Sequence, residues 1–151
     1  MLALAQRNYT QASQLLTQSL NAYAAQGLVF AIVRVRRNLG YLALAQGDAA
    51  TAEYWFRASM QQADLHGLAD IALHAIAGLA LLHAQRGNVS EAARMLGAVE
   101  HLQSFYELRN DPHDNQVREQ VRTLIALYPT WSSDYALGST IPLAQVLAKY
   151  T

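Results

Sequence analysis

The stretch LGYLALAQGDAATAEYWF (Leu39–Phe56) returns forty residues later as LALLHAQRGNVSEAARML (Leu79–Leu96). Gly47-Asp48 aligns with Gly87-Asn88, Ala52 with Ala92, and Phe56 with Leu96. In the first copy Ile32, Val35, Leu39 and Leu42 keep the spacing of one helical face. The glycine that follows tolerates the positive φ at which helices commonly end. Asp48 or Asn88 then offers a side chain to the free N–H groups of the next helix. Each copy therefore reads as helix A, a tight turn and helix B. Helix A is expected over Leu28–Gln46 and Leu68–Arg86, and helix B over about 49–65 and 89–108.

The register extends outward on both sides. Arg7-Asn8, Ala12 and Leu16 repeat the turn and the inner face, which predicts an earlier helix B over about 9–26. Gly27 and Gly67 close the first two B helices, and Glu107 stands at that register in the third. Gln11 and Glu91 lie three residues after Asn8 and Asn88, the spacing of a reciprocal capping pair. The inner faces are Ala12, Leu15, Leu16 and Leu20, then Ala52, Trp55, Phe56 and Met60, then Ala92, Met95, Leu96 and Val99. A small residue at one fixed point lets two helices approach closely, and its large neighbours fill the adjacent groove. A regular period of this size means stacked copies of a unit that cannot bury its own apolar face.

Met1–Gln6 reads as the last turn or two of a first helix A. The chain is thus expected to be a fragment, or to open on a half-unit that borrows a partner's helix. Leu15, Leu16 and Leu20 are left short of a neighbour, so a homo-oligomer, a dimer first, is expected. At the other end Asp111-Pro112 is a helix start. Val117, Val121, Leu124, Ile125 and Tyr128 form its stripe, and Pro129 is expected to stop it. Trp131 and Tyr135 are expected to pack back on the last repeat, followed by a short terminal helix bearing Leu143, Val146, Leu147 and Tyr150. The expected fold is all-α: a superhelical stack of antiparallel helix hairpins with a C-terminal capping segment. Its single domain divides into a partial unit 1–26, units 27–66 and 67–109, and capping helices over 110–151.

Composition narrows the function classes. Eleven basic and eleven acidic side chains cancel, against a nucleic-acid surface, which needs a positive field. Cysteine is absent, which excludes disulfides and thiolate metal sites. No apolar run approaches the roughly 20 residues that span a bilayer, and the start lacks the pattern of a secretory leader. A cytoplasmic protein without a membrane partner is expected. Apolar residues make up 52% and charged ones 15%, a balance that leaves apolar area for a partner.

Leu39-Gly40, Gly47-Asp48, Ala52 and Phe56 fall where the tetratricopeptide-type repeat carries its motif residues, and the chain resembles that family. Leu79-Ala80, Gly87-Asn88, Ala92 and Leu96 match with Ala80 in place of a glycine. The forty-residue period exceeds the family's usual length of about 34. The tail, EAARMLGAVEHL (Glu91–Leu102) and DYALGSTIPLAQVLA (Asp134–Ala148), is similar to the C-terminal end of large bacterial regulators. Those carry an ATPase core, a helical-repeat region and often a LuxR-type or SARP-type DNA-binding domain; Pro142 stands where that ending more often has a capping Ser.

Arg34, Arg37, Asn38 and Tyr41 are spaced i, i+3, i+4 and i+7 and share a face of helix A. His74 falls one repeat after Arg34. In the repeats that this chain resembles, helix A lines the concave surface and its polar residues hold peptides. Arginine suits a carboxylate there because its planar fork donates two hydrogen bonds at once; equally, Arg34 and Arg37 solvate the helix or pair with Asp64 and Asp70. His66, His74 and His83 lack the i, i+4 spacing of a helical metal site, and Asp111, His113 and Asp114 read as helix capping. No glycine-rich phosphate loop, nucleophile motif or carboxylate pair marks an enzyme, and nothing calls for a metal or cofactor. The expected function is a non-catalytic scaffold for a protein or peptide partner or for self-association. The alternative is an effector-sensing domain that holds a small molecule on helix A.

Overall fold

The computed structural model describes residues 2–109 and 111–150, with side chains from Asn8 onward. Among them are eight helices and no strand, so the chain is all-α. They are α1 (Leu2–Gln26), α2 (Val29–Ala45), α3 (Ala49–Leu65), α4 (Ala69–Gln85), α5 (Val89–Phe105), α6 (Pro112–Ile125), α7 (Trp131–Gly138) and α8 (Leu143–Tyr150). The chain divides into two compact units, 1–71 and 72–151, with the division inside α4.

The middle of the chain has a finer rhythm than its forty-residue sequence period. Helices α2 to α5 are each 17 residues long and begin at residues 29, 49, 69 and 89. Each ends in one turn geometry. Gly27, Gly47, Gly67 and Gly87 take φ of +66°, +75°, +68° and +81°. The following N–H reaches five residues back: Leu28 to Tyr23, Asp48 to Ala43, Leu68 to Ala63 and Asn88 to His83. That reach defines the Schellman motif, which satisfies carbonyls that a helix end otherwise leaves open. So helices A and B are closed by the same device, once every twenty residues.

A fifth copy of this turn lacks its glycine. Glu107 has φ +51°, and Leu108 N–H donates to Gln103 C=O at 3.0 Å. A left-handed conformation strains any residue with a Cβ by about 1–2 kcal/mol. Part of that returns as lost chain flexibility when glycine is introduced. The Glu107→Gly variant is expected to be more stable by roughly 0.5–1 kcal/mol, read as a raised urea midpoint with an unchanged slope. The register continues beyond Glu107. Arg34, His74 and Asp114 occupy one position in α2, α4 and α6, so α6 stands in the helix A place.

In the first unit, α2 packs against both α1 and α3. Asp48 caps α3 by accepting the Thr51 N–H at 3.1 Å, and its bonds to Thr51 hold the carboxyl below its usual range. Phe56 and Met60 are fully buried, the Phe56 ring meets Tyr41 edge-on at 5.4 Å, and the ring fills the space that a Cβ on Gly40 would need. Ser59 is buried and donates to the Val33 carbonyl.

Two expectations are corrected in this unit and its continuation. Helix α1 runs unbroken from Leu2 to Gln26, so Arg7-Asn8 is helix interior and no turn separates a helix A remnant from helix B. The physical reason is in the register: Arg7 stands where the working turns have glycine. Residue Met1 of that expected remnant lies outside the described residues. At the head of α5, Asn88 makes no side-chain cap; its amide nitrogen lies 3.1 Å from His83 Nδ1 instead. Glu91 pairs with Lys149 of α8 at 3.4 Å rather than closing a capping box.

The second unit is built on α5. Every residue of α4 from Ile71 to Leu82 is buried, as befits a helix with apolar residues on all sides. Helices α6 and α7 both contact α5. The α5–α7 contact is a backbone-to-backbone approach at two glycines. A Cβ on Gly97 would lie 2.1 Å from the Tyr135 carbonyl oxygen, and one on Gly138 would lie 1.9 Å from that of Arg94. Arg94 also pairs with Asp134 at 3.0 Å. Helix α6 opens at Asp111-Pro112, with His113 N–H donating to the Asp111 carboxylate at 2.8 Å. It ends at Ile125, before Pro129, and Tyr128 of the expected stripe is exposed outside it. Helix α8 buries Val146 and Tyr150; burial first, then the Tyr150 bond to Glu91, pushes that hydroxyl well above its usual pKa.

Candidate interaction site

The strip read from α2 does not stay on the surface. Arg34 is exposed and lies over the Phe30 ring at 5.6 Å. Asn38 is half-buried, while Arg37 and Tyr41 are buried, with the Arg37 guanidinium 5.7 Å from the Tyr41 ring centre. His74 is buried as well. Of the five residues expected to hold a ligand, only Arg34 is exposed. The cause is that i, i+3, i+4 and i+7 span an arc wide enough to run from solvent into the packed seam.

His74 belongs to a different constellation, built inside the second unit. Its Nε2 lies 3.8 Å from Asp114 Oδ2 on α6, and Asp114 is fully buried. Arg118, one turn on, brings Nε to 3.1 Å from the same oxygen and Nη1 to 3.7 Å from Glu100 Oε2 on α5. Arg122 grips Glu100 with one nitrogen at 2.7 and 2.6 Å from its two oxygens. Tyr135 of α7 donates to Glu100 at 3.2 Å. Desolvation raises that phenol's pKa and the Glu100 charge adds to it. Helices α4, α5, α6 and α7 are thus joined through one chain of charges. Each carboxylate faces a guanidinium, which is the condition for keeping charges in a protein interior. The pattern visible in sequence was Asp114 and Arg118 at i, i+4; the partners His74 and Glu100 come from elsewhere in the chain.

Two concavities flank α6. One, of about 330 Å³, is lined by Glu100, Gln103, Ser104, Glu107, Leu108 and Arg118, and its charged groups are largely taken up by the network. The other, of about 380 Å³, is lined by Leu81 and Gln85 of α4 and by Glu119, Gln120, Thr123 and Leu124 of α6. Its lining combines two leucines with two amides, a hydroxyl and the Glu119 carboxylate. Both helices stand in the helix A place of the forty-residue register.

The self-association residues divide. Leu15 is 57% exposed, and Leu16 and Leu20 are half-buried on a helix that contacts α2. Among the described residues no three His, Cys, Asp or Glu side chains converge as metal ligands, and no helix is long and apolar enough to cross a membrane. Comparison with known proteins returns no match: no family model, no curated protein and no solved structure is significantly similar to this chain.

Proposed function

We propose that this chain is a non-catalytic, tetratricopeptide-like scaffold that holds a short segment of another protein in the groove between α4 and α6. The observation that carries the proposal is the groove's chemistry: Leu81 and Leu124 beside the polar groups of Gln85, Gln120 and Thr123 and the carboxylate of Glu119. Side-chain amides hydrogen-bond an extended backbone, the two leucines take an aliphatic side chain, and Glu119 favours a segment that is not acidic. The superhelical stacking of hairpins belongs to this proposal, as does a place in a larger bacterial signalling or transcription-regulating protein, on the strength of the resemblance in the repeats and tail. Effector sensing through Arg34, Tyr41 and His74 is the weaker reading, because Tyr41 and His74 are buried.

Selection from a displayed peptide library tests it. Enriched peptides should carry one aliphatic anchor, and Leu124→Arg should weaken their binding at least tenfold while leaving the circular dichroism unchanged. The expected size follows from removing one apolar contact and burying a charge against the anchor. Peptides that bind the variant as tightly as the parent would place the site elsewhere.

A further inference from the structure

Helix α5, an interior helix of the second unit, ends in a cluster of aromatic rings that the protein leaves in water. His101 and Phe105 stand one turn apart, and their rings stack with centres 6.0 Å apart and planes inclined by 29°. Tyr106, the C-cap residue of the helix, meets the Phe105 ring edge-on at 5.0 Å. Phe105 is 68% exposed and Tyr106 49%, and His101 is exposed as well. Large rings with polar tips are the side chains on which protein interfaces draw most of their affinity. The chain on either side of the Phe105-Tyr106 pair lines the concavity of about 330 Å³, through Ser104 before it and Glu107 and Leu108 after it. Of the charges in that lining, Glu100 and Arg118 are held in the ionic network. Glu107 is exposed and makes no ion pair among the described residues.

We propose that this end of α5 docks a proline-rich segment of another protein that carries a basic residue. A polyproline II helix has no internal hydrogen bonds, so its carbonyls remain open to outside donors. Its proline rings stack on aromatic faces, and it loses little chain entropy on binding. The cluster supplies both partners: ring faces, and donors in the Tyr106 and Ser104 hydroxyls and the His101 imidazole. An amphipathic helix would require aliphatic pockets at helical spacing, which three rings do not provide. The charge of the segment follows from Glu107, whose carboxylate lies beside the rings and complements a lysine or arginine. Glu107 also stands at the one left-handed turn position that is not glycine, where a side chain does nothing for the turn itself. The inference goes beyond the α4–α6 groove and does not rest on it.

Fluorescence anisotropy on the 151-residue chain tests it, with a labelled oligoproline ending in arginine and another ending in glutamine. The arginine peptide should bind about threefold more tightly than the glutamine one, the size of an exposed ion pair. Phe105→Ala should weaken both about tenfold, with the helical circular dichroism retained because the ring is exposed. Glu107→Gly should abolish the preference for arginine while raising the urea midpoint, a combination that loss of fold cannot produce. Leu124→Arg, in the other groove, should leave both peptides unaffected. Absence of binding up to about 1 mM peptide overturns the proposal, and so does binding indifferent to Phe105→Ala. An amphipathic helical peptide that outcompetes both oligoprolines overturns the assignment of the partner, and an arginine preference that survives Glu107→Gly overturns that of its charge. Peptide capture between α4 and α6 is read by its own selection, so every outcome leaves that reading intact.

Discussion

Gly138→Ala should cost about 3 kcal/mol or more, at the upper end of what overpacking does, and lower the melting temperature of the second unit by more than about 10 °C. The added Cβ would meet Arg94 carbonyl oxygen at 1.9 Å, its carbon at 2.6 Å and its Cα at 2.7 Å. All three atoms are backbone in the middle of α5, so no side chain can swing aside. Relief requires α7 to lift from α5, which also breaks the Arg94–Asp134 pair and the Tyr135 bond to Glu100. Gly97→Ala attacks the same seam from the opposite helix. The double variant should fall well short of the sum, since one displaced helix relieves both contacts. The chain has two tryptophans, Trp131 on α7 and Trp55 on α3, so Trp131 fluorescence in a Trp55→Phe background follows the affected seam. A melting temperature within 2–3 °C of the parent would show that the two helices do not touch.

Asp114→Ala should lose about 3–5 kcal/mol, the cost of breaking a buried pair and leaving its cation behind. Arg118 and His74 would then face each other across a cavity without their shared carboxylate. Asp111→Ala, three residues earlier, removes only the cap on the His113 N–H and should cost about 1 kcal/mol. Urea unfolding of the two variants side by side provides the measurement. Equal losses would mean that Asp114 is no more than a second capping residue.

That contrast shows where the sequence was readable. Gly47-Asp48 and Asp111-Pro112 are local devices, whose chemistry and consequence lie within a few residues, and the structure has both where the sequence places them. The unbroken α1 was also within reach, since Arg7 occupies the place of a glycine, but the resemblance of Asn8 to Asp48 and Asn88 drew the reading toward a turn. The ionic chain was not readable. Asp114 reads as a helix cap until α4 and α5 bring His74 and Glu100 against it and Arg118, and that proximity is a property of packing. Arg37 and Tyr41 mislead for a related reason: helical spacing gives the direction of a side chain around its axis, but not how far the adjacent helices overlap it.

The shared turn at Gly27, Gly47, Gly67 and Gly87 limits how such a chain can grow or shrink. Loss or gain of forty residues removes or adds one pair of helices A and B, and the alternation of their faces along the chain is kept. Loss of twenty would leave each junction chemically intact yet set a helix A face where a helix B face belongs. Length variants of this protein are therefore expected to differ by even numbers of helices, although each turn on its own would tolerate an odd number.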